Sequence, residues 1–225
     1  MTSNNKTYIV IPVFNESPII GSVVKDLQNS GHKNIILVDD GSSDATSEVV
    51  SKNNVISAKH SINRGKGAAI KTGIEIAKLL GATKVITIDG DGQHNPDDVA
   101  RMIKLLDDGY EVVLGTRKQD PKNMPRHKII ANKIGNFFTW LIYGLWVQDS
   151  QSGFRAYSQK AIGLLDTKTD RYEYDSEVIK EIYRHNLRFT ETPIETRYTK
   201  YSMNKPHKQN LKNGMKTLLK MIISE

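Results

Sequence analysis

The stretch Val85–His94, VITIDGDGQH, decides how this chain is read. Val85 to Ile88 run without a polar break into Asp89, Gly90, Asp91, Gly92 and Gln93, the pattern of a strand covered on both faces that ends at a site. In extended backbone, residues two apart project to the same side. Asp89, Asp91 and Gln93 would then direct three oxygen ligands to one point, while Gly90 and Gly92 would let a ligand approach the main chain. Such donors suit a hard divalent cation, Mg²⁺ or Mn²⁺, shared with phosphates. The same residues also make an ordinary Asp–Gly turn, and DGD alone divides about evenly between the two readings.

Working outward, continuous apolar strands alternate with helical spacing. Lys6–Val13 is a strand, and Glu16–Ser30 has helical spacing through Ile19, Ile20, Val23, Val24 and Leu27. Asn34–Val38 is a second strand running into Asp39, Asp40, Gly41 and Ser42, followed by a helix over Ala45–Lys52 with a Ser or Asp cap. Val55–Lys59 is a third strand. Asn63–Gly67, NRGKG, opens a helix through Ile70, Ile74 and Ala77. Lys84–Asp89 is the fourth strand, Pro96–Asp108 a helix, and Glu111–Gly115 the fifth strand. This order predicts an α/β fold with a mainly parallel sheet covered by helices on both faces. Ligands of such sheets bind beyond the carboxyl ends of the strands. Asn15 and Glu16, Asp39 and Asp40, Asp89 to Gln93, and Thr116 and Arg117 should therefore meet on one rim.

Composition limits the alternatives. The chain has 225 residues, 38% hydrophobic and 25% charged, which fits one globular domain rather than a disordered or fibrous class. It has no cysteine, so disulfides and thiolate metal sites are excluded. A net charge of +7 favours anionic partners: nucleotides, nucleic acid or an acidic membrane face. A nucleic-acid binder would need a basic groove with stacking aromatics, whereas the polar rim here is acidic, so no nucleic-acid partner is expected. The start passes from a short polar lead directly into a strand pattern with no signal core, and a cytoplasmic protein is expected. No oligomeric state is read from the sequence. The GxGxxG and GxxxxGK[ST] fingerprints are both missing, and NRGKG is only a fragment of a phosphate loop.

IPVFNE (11–16), VDDGSSDAT (38–46), NRGKGAAIKTG (63–73) and IDGDGQH (88–94), in this order, resemble glycosyltransferase family 2, the inverting enzymes of GT-A fold. LGTRK (114–118) and QDSQSGFRAY (148–157) resemble its polyprenyl-phosphate branch, which includes dolichyl-phosphate mannose synthase. The likeness spans residues 7–202, and the QxxRW motif of the processive members is missing. The resemblance implies a nucleotide-sugar donor, a polyprenyl phosphate acceptor and a Mg²⁺ or Mn²⁺ cofactor. GDP-mannose is favoured as donor over UDP-glucose or UDP-N-acetylglucosamine. It implies that Pro12, Phe14 and Glu16 line the nucleoside, that Asp39 and Asp40 hold base or ribose, and that Asp89, Asp91 and Gln93 hold the metal against the diphosphate beside Gly90. Arg117, Arg155 and Arg197 would form the cationic side, gripping the lipid phosphate and the leaving diphosphate. Asp149 would be a base or, slightly ahead, an orienting group. After the last arginine the family often continues Gly-x-Ser-Lys, where this chain has RYTKYSMNK, with Tyr201, Ser202 and Lys205 as partial matches. The rival activities are transfer from a UDP-sugar to a sugar or protein hydroxyl, and nucleotidyl transfer.

Several residues have plainer readings. Lone arginines are usually solvated surface charges, although Arg117 directly follows a strand and Arg155 lies within SGFR. Lys66 approaches phosphate or, by the plainer reading, caps the helix or is solvated at the surface. Arg126 and His127 belong to a basic acceptor loop or an ordinary exposed one. His94 reads as a turn or supporting residue, because oxygen-rich sites select hard cations. Ile129–Val147 is either a core helix or a membrane-interface helix carrying Phe137, Phe138, Trp140, Tyr143 and Trp146, with Lys128 and Lys133 near its start. Residues 1–205 are expected to form the catalytic domain. Residues 206–225 form a basic amphipathic helix with Lys208, Lys212, Lys216 and Lys220 at a four-residue interval, suited to anionic headgroups. Peripheral attachment at the cytoplasmic face of a membrane follows.

Overall fold

The structure is a computed structural model that describes residues 6–117, 126–171, 173–197 and 201; of residues 126–133 only the backbone is described. The basic C-terminal helix expected at 206–225, with Ser202 and Lys205, lies outside the described residues, as do the side chains of Arg126 and His127.

Strands and helices alternate as β1 (Thr7–Val13), α1 (Ile20–Asn29), β2 (Ile35–Asp39), α2 (Thr46–Ser51), β3 (Ile56–Lys59), α3 (Lys66–Leu79), β4 (Lys84–Thr87), α4 (Asp98–Asp107) and β5 (Val112–Arg117). The second half adds α5 (Arg126–Tyr143), β6 (Arg155–Ser158), α6 (Gln159–Leu164), α7 (Glu173–Arg184) and β7 (Phe189–Ile194). Among the described residues the strands form one sheet in the order β3-β2-β1-β4-β6-β5-β7. Only β6 runs antiparallel, pairing with β4 on one side and β5 on the other. The expected α/β architecture with a mainly parallel sheet is present.

Strand alternation divides the core in two. Tyr8, Val10, Ile36, Val38, Val85, Val112 and Leu114 face the layer formed by α3, α6 and α7. Ile9, Ile11, Val13, Ile35, Leu37, Ile86 and Val113 face α1, α2 and α4. Both faces being dry explains why these strands read as unbroken apolar runs. Helix α3 lies so close to β1 that a Cβ on Gly73 would sit 2.3 Å from Val10 Cγ1.

Three boundaries differ from the expected ones. Helix α1 starts at Ile20 because residues 17–19 form a turn. Pro96 lies in the turn before α4 rather than in the helix. Strand β4 ends at Thr87, so Asp89–Gln93 is not extended backbone: residues 90–91 turn, and Gly92 has a left-handed φ of +74°. The turn reading of DGDGQ matches this backbone, and the convergence of Asp89, Asp91 and Gln93 expected from an extended segment does not follow from it. Gly73→Val should destabilise the fold by about 2 kcal/mol or more through overpacking against Val10, read as a lower urea midpoint at unchanged m-value.

Candidate active site

The carboxyl ends of β1, β2, β4, β5 and β7 share one rim, and polar side chains lace their loops together. At the end of β1, Asn15 adopts a left-handed φ of +55°. Its N–H donates to Ser42 Oγ at 2.9 Å, and its Oδ1 accepts from Ser43 N at 2.9 Å. The Glu16 N–H donates to Thr46 Oγ1 at 2.9 Å. Glu16 is buried, and its Oε2 accepts from Tyr201 Oη at 2.8 Å. Burial and the neighbouring Glu16 carboxylate raise the Tyr201 pKa, so this hydroxyl remains a donor.

Asp39 and Asp40 end β2 with only 2% of each exposed. Asp39 Oδ1 accepts from Ser42 N at 2.8 Å, and Oδ2 from Ser47 Oγ. Asp40 accepts from Arg64 N at 2.9 Å and Gly65 N at 2.7 Å, and lies 2.8 Å from His60 Nδ1. The other ring nitrogen of His60 lies 3.0 Å from Thr72 Oγ1. Asp40 thus ties the second strand to the start of α3. The glycines of NRGKG fit a chain crossing rather than a phosphate cradle: a Cβ on Gly65 would lie 2.4 Å from Asp170 O, and one on Gly67 2.7 Å from Tyr174 Cβ. The Ala68 N–H is likewise taken by Asp170 O, at 3.0 Å.

Lys66, on the first turn of α3, reaches the centre of the rim. Its Nζ is 2.9 Å from Asp89 Oδ1 and 3.0 Å from Asp175 Oδ2 on α7. Burial works against the charge on Lys66, but the two carboxylates outweigh it and raise its pKa. Burial likewise opposes ionisation of Asp89, and Lys66 with His94 overcomes this, holding Asp89 well below the usual carboxylate range. His94 Nε2 lies 3.4 Å from Asp89 Oδ2, and its ring packs edge-on to Phe154 with centroids 5.0 Å apart. Asp91 Oδ1 accepts from Gln93 N at 3.1 Å, closing the turn.

Opposite, Arg117 grips Asp149 with both arms of its guanidinium, Nε to Oδ2 at 2.7 Å and Nη2 to Oδ1 at 2.9 Å. Burial disfavours the Arg117 charge, yet the Asp149 carboxylate more than restores it. The Asp149 segment is in turn fixed by α5: Asn136 Nδ2 donates to Gln148 O, and its Oδ1 accepts from Ser150 N at 3.0 Å.

Residues 8–164 match the family described as Glycosyl transferase family 2. The chain belongs to glycosyltransferase family 2. It is therefore an enzyme, a glycosyltransferase. The glycosyltransferase is 44% identical over 229 residues to an uncharacterized protein of Methanocaldococcus jannaschii, covering 99% of this chain and 93% of that one. It is 40% identical over 219 residues to the UDP-N-acetylglucosamine–dolichyl-phosphate N-acetylglucosaminyltransferase of Methanococcus voltae, covering 87% of each. Among solved structures, glucosyl-3-phosphoglycerate synthase from Mycobacterium tuberculosis in complex with Mn²⁺, UDP-glucose and phosphoglyceric acid is similar, with a TM-score of 0.73 at 17% identity. That likeness covers 99% of this chain and 80% of that chain and shows the shared GT-A fold.

Among the described residues, no group of three or more His, Asp or Glu side chains is gathered for a metal. The residue types on the β4 turn nevertheless fit a hard cation completed by phosphate oxygens, with carboxylates at Asp89 and Asp91 and an amide at Gln93, while the Lys66 ammonium lies on Asp89. Of the expected nucleoside residues, Pro12 and Phe14 are half-buried at the rim of β1, while Asp39 and Asp40 have their carboxylates bonded within the protein. The missing side chain of Gly90 is required by β1, since a Cβ there would sit 2.7 Å from Val13 Cγ1 and 3.1 Å from Pro12 O.

The three arginines expected on one cationic side separate. Arg117 faces the rim, 25% exposed. Arg155 is 1% exposed on β6, and its guanidinium donates to Ser152 O at 2.9 Å and Ser150 O at 2.7 Å. It holds the SGFR loop from beneath. Arg197 borders the far side of the turn, with its N–H on Gln93 O at 2.7 Å and Nη2 on Asn95 Oδ1 at 2.6 Å. Sequence reasoning missed Asp175 and His60. Each is bonded to residues distant in the chain, and the one available signal was an acidic residue beside the apolar stripe Tyr174, Val178, Ile179 and Ile182. Arg117→Ala should destabilise the fold by about 3 kcal/mol, because Asp149 is left as a buried charge without its partner. Chemical denaturation of Arg117→Ala, of Asp149→Asn and of the double variant would show strong coupling between the two sites.

Proposed function

We propose that this glycosyltransferase moves a sugar, with inversion, from a UDP-sugar of the N-acetylglucosamine class to a polyprenyl phosphate at a membrane surface. The observation that carries the reading is the exposed apolar face of α5. Its inward face mixes Tyr143 with two polar residues, Asn136 and Thr139, which are buried and bonded to the 148–150 segment. Its outward residues are apolar: Ile134, Phe137, Trp140 and Leu141 are 41% to 59% exposed, joined by Trp146 just beyond the helix. A helix that presents aromatics to the outside and amides to its own domain suits a bilayer interface. The same helix fixes the Asp149 segment, so a lipid-facing surface and the reaction site are mechanically joined. No helix among the described residues is long and apolar enough to cross a membrane.

The donor assignment is supported by the 40% identity to a transferase named for UDP-N-acetylglucosamine and dolichyl phosphate. It is preferred here to GDP-mannose, which the resemblance to mannose synthases favoured.

The chemistry follows from the charges at the rim. A phosphate oxygen of the acceptor attacks the anomeric carbon from the face opposite the diphosphate, and the bond from that carbon to the diphosphate oxygen breaks. A phosphate monoester, with a second pKa of about 6, is largely ionised at neutral pH, so no strong base is required. Asp149, paired with Arg117, orients that guanidinium toward the incoming phosphate. A divalent cation held by Asp89, Asp91 and Gln93 would supply charge neutralisation to the departing diphosphate.

Labelled sugar from UDP-N-acetylglucosamine should enter an organic-extractable, mild-acid-labile lipid. Label found only in water-soluble glycan would exclude the lipid acceptor, and stronger transfer from GDP-mannose would exclude the donor assignment. Asp91→Ala should lower turnover at least ~100-fold with the fold intact, and unchanged turnover would remove its role. The double variant Phe137→Ser with Trp140→Ser should weaken flotation with anionic vesicles by roughly tenfold or more, given ~1.5–3 kcal/mol for each buried apolar side chain.

A further inference from the structure

Asp89 already carries a cation. The Lys66 ammonium is suspended between two carboxylates of different character: Asp89 is 31% exposed at the rim, whereas Asp175 is 7% exposed on α7. The pair is seated against bare main chain, because a Cβ on Gly153 would lie 2.5 Å from both Asp89 Oδ1 and Lys66 Nζ. Lys66 therefore neutralises the side chain with which the expected metal set begins, and does so from a flexible four-carbon stem.

We propose that Lys66 is an exchangeable counter-ion that keeps divalent metal off Asp89 until the donor arrives. This inference rests on the metal-dependent reading given above. In the nucleotide-free protein the ammonium holds Asp89, and a divalent ion there would be repelled by it at close range. A diphosphate entering the rim offers the ammonium a second anion, and Asp175 keeps the lysine stem anchored below. Asp89 is then released to the metal at the moment when phosphate oxygens are present to complete the coordination. Metal and nucleotide-sugar bind as a coupled pair, and the empty enzyme stays largely metal-free. A lysine serving only to pin α3 to α7 would affect stability and leave metal affinity unchanged.

Mn²⁺ binding to the full chain, followed by the loss of the free-ion electron paramagnetic resonance signal, tests this without a turnover assay. Wild type should bind Mn²⁺ weakly alone and more tightly with UDP. Lys66→Met should bind Mn²⁺ alone roughly tenfold more tightly than wild type, the effect expected from removing a like charge in contact, and the added effect of UDP should shrink. Lys66→Gln keeps a hydrogen bond to Asp175 without the charge and should show the same gain, which covers a failure of the methionine variant to fold. Lys71→Met on the same helix, whose amine pairs with Asp170, should leave Mn²⁺ affinity unchanged. If wild type binds Mn²⁺ only with UDP and neither Lys66 variant gains affinity alone, the exchange is overturned while the metal-dependent reading stands. A gain with Lys71→Met equal to that at Lys66 also overturns it, since general electrostatics would then account for the effect. If no protein binds Mn²⁺ even with UDP, both ideas fall together.

Discussion

Parallel strands that end in one plane bring carboxylates and unpaired main-chain groups to a single rim, and their mutual satisfaction is the constraint on which the rest of this structure depends. Asp40 shows how it is met. One buried carboxylate accepts two N–H groups from residues 64–65 and contacts His60, joining the end of β2 to the start of α3. Buried polar groups are costly when unpaired, so such a hub fixes the loop that carries Lys66. From Lys66 the connections continue to Asp89 on the β4 turn and Asp175 on α7. The rim is thus a chain of charge-to-charge and charge-to-dipole contacts with little slack.

The opposite side follows the same logic with another purpose. Arg117 and Asp149 form a two-pronged pair, Asn136 and Thr139 hold the neighbouring main chain and hydroxyl, and Arg155 supports the loop from below. Asn136 and Thr139 take part of the inner face of α5 beside Tyr143, and Ile134, Phe137, Trp140 and Leu141 are left outside. In a soluble helix that arrangement would be unfavourable, because apolar area is left in water. At a bilayer surface, as proposed above, it would be favourable.

The division of labour among the arginines shows the limit of motif reasoning. LGTRK and SGFR place both arginines after or within strand ends, and by that criterion they are equivalent. The antiparallel insertion of β6 between β4 and β5 separates them, turning Arg155 into the sheet interior while Arg117 faces the rim. Likewise NRGKG resembles a fragment of a phosphate loop, and its two glycines are packed against Thr169, Asp170, Arg171 and Tyr174.

The sequence by itself determined the layers and the side of the sheet that carries the chemistry. Apolar runs at strand spacing and stripes at helical spacing are local signals, and each parallel strand ends in polar residues that must share a rim. The four ordered motifs also sufficed to point to the family. The tertiary structure alone decided which charges meet. Lys66 pairs with Asp175 across 109 positions, and Asp40, Asp89 and Asp149 each take partners from other elements. No periodicity encodes such contacts, because they are set by the crossing of loops in space rather than by the repeat of any one element.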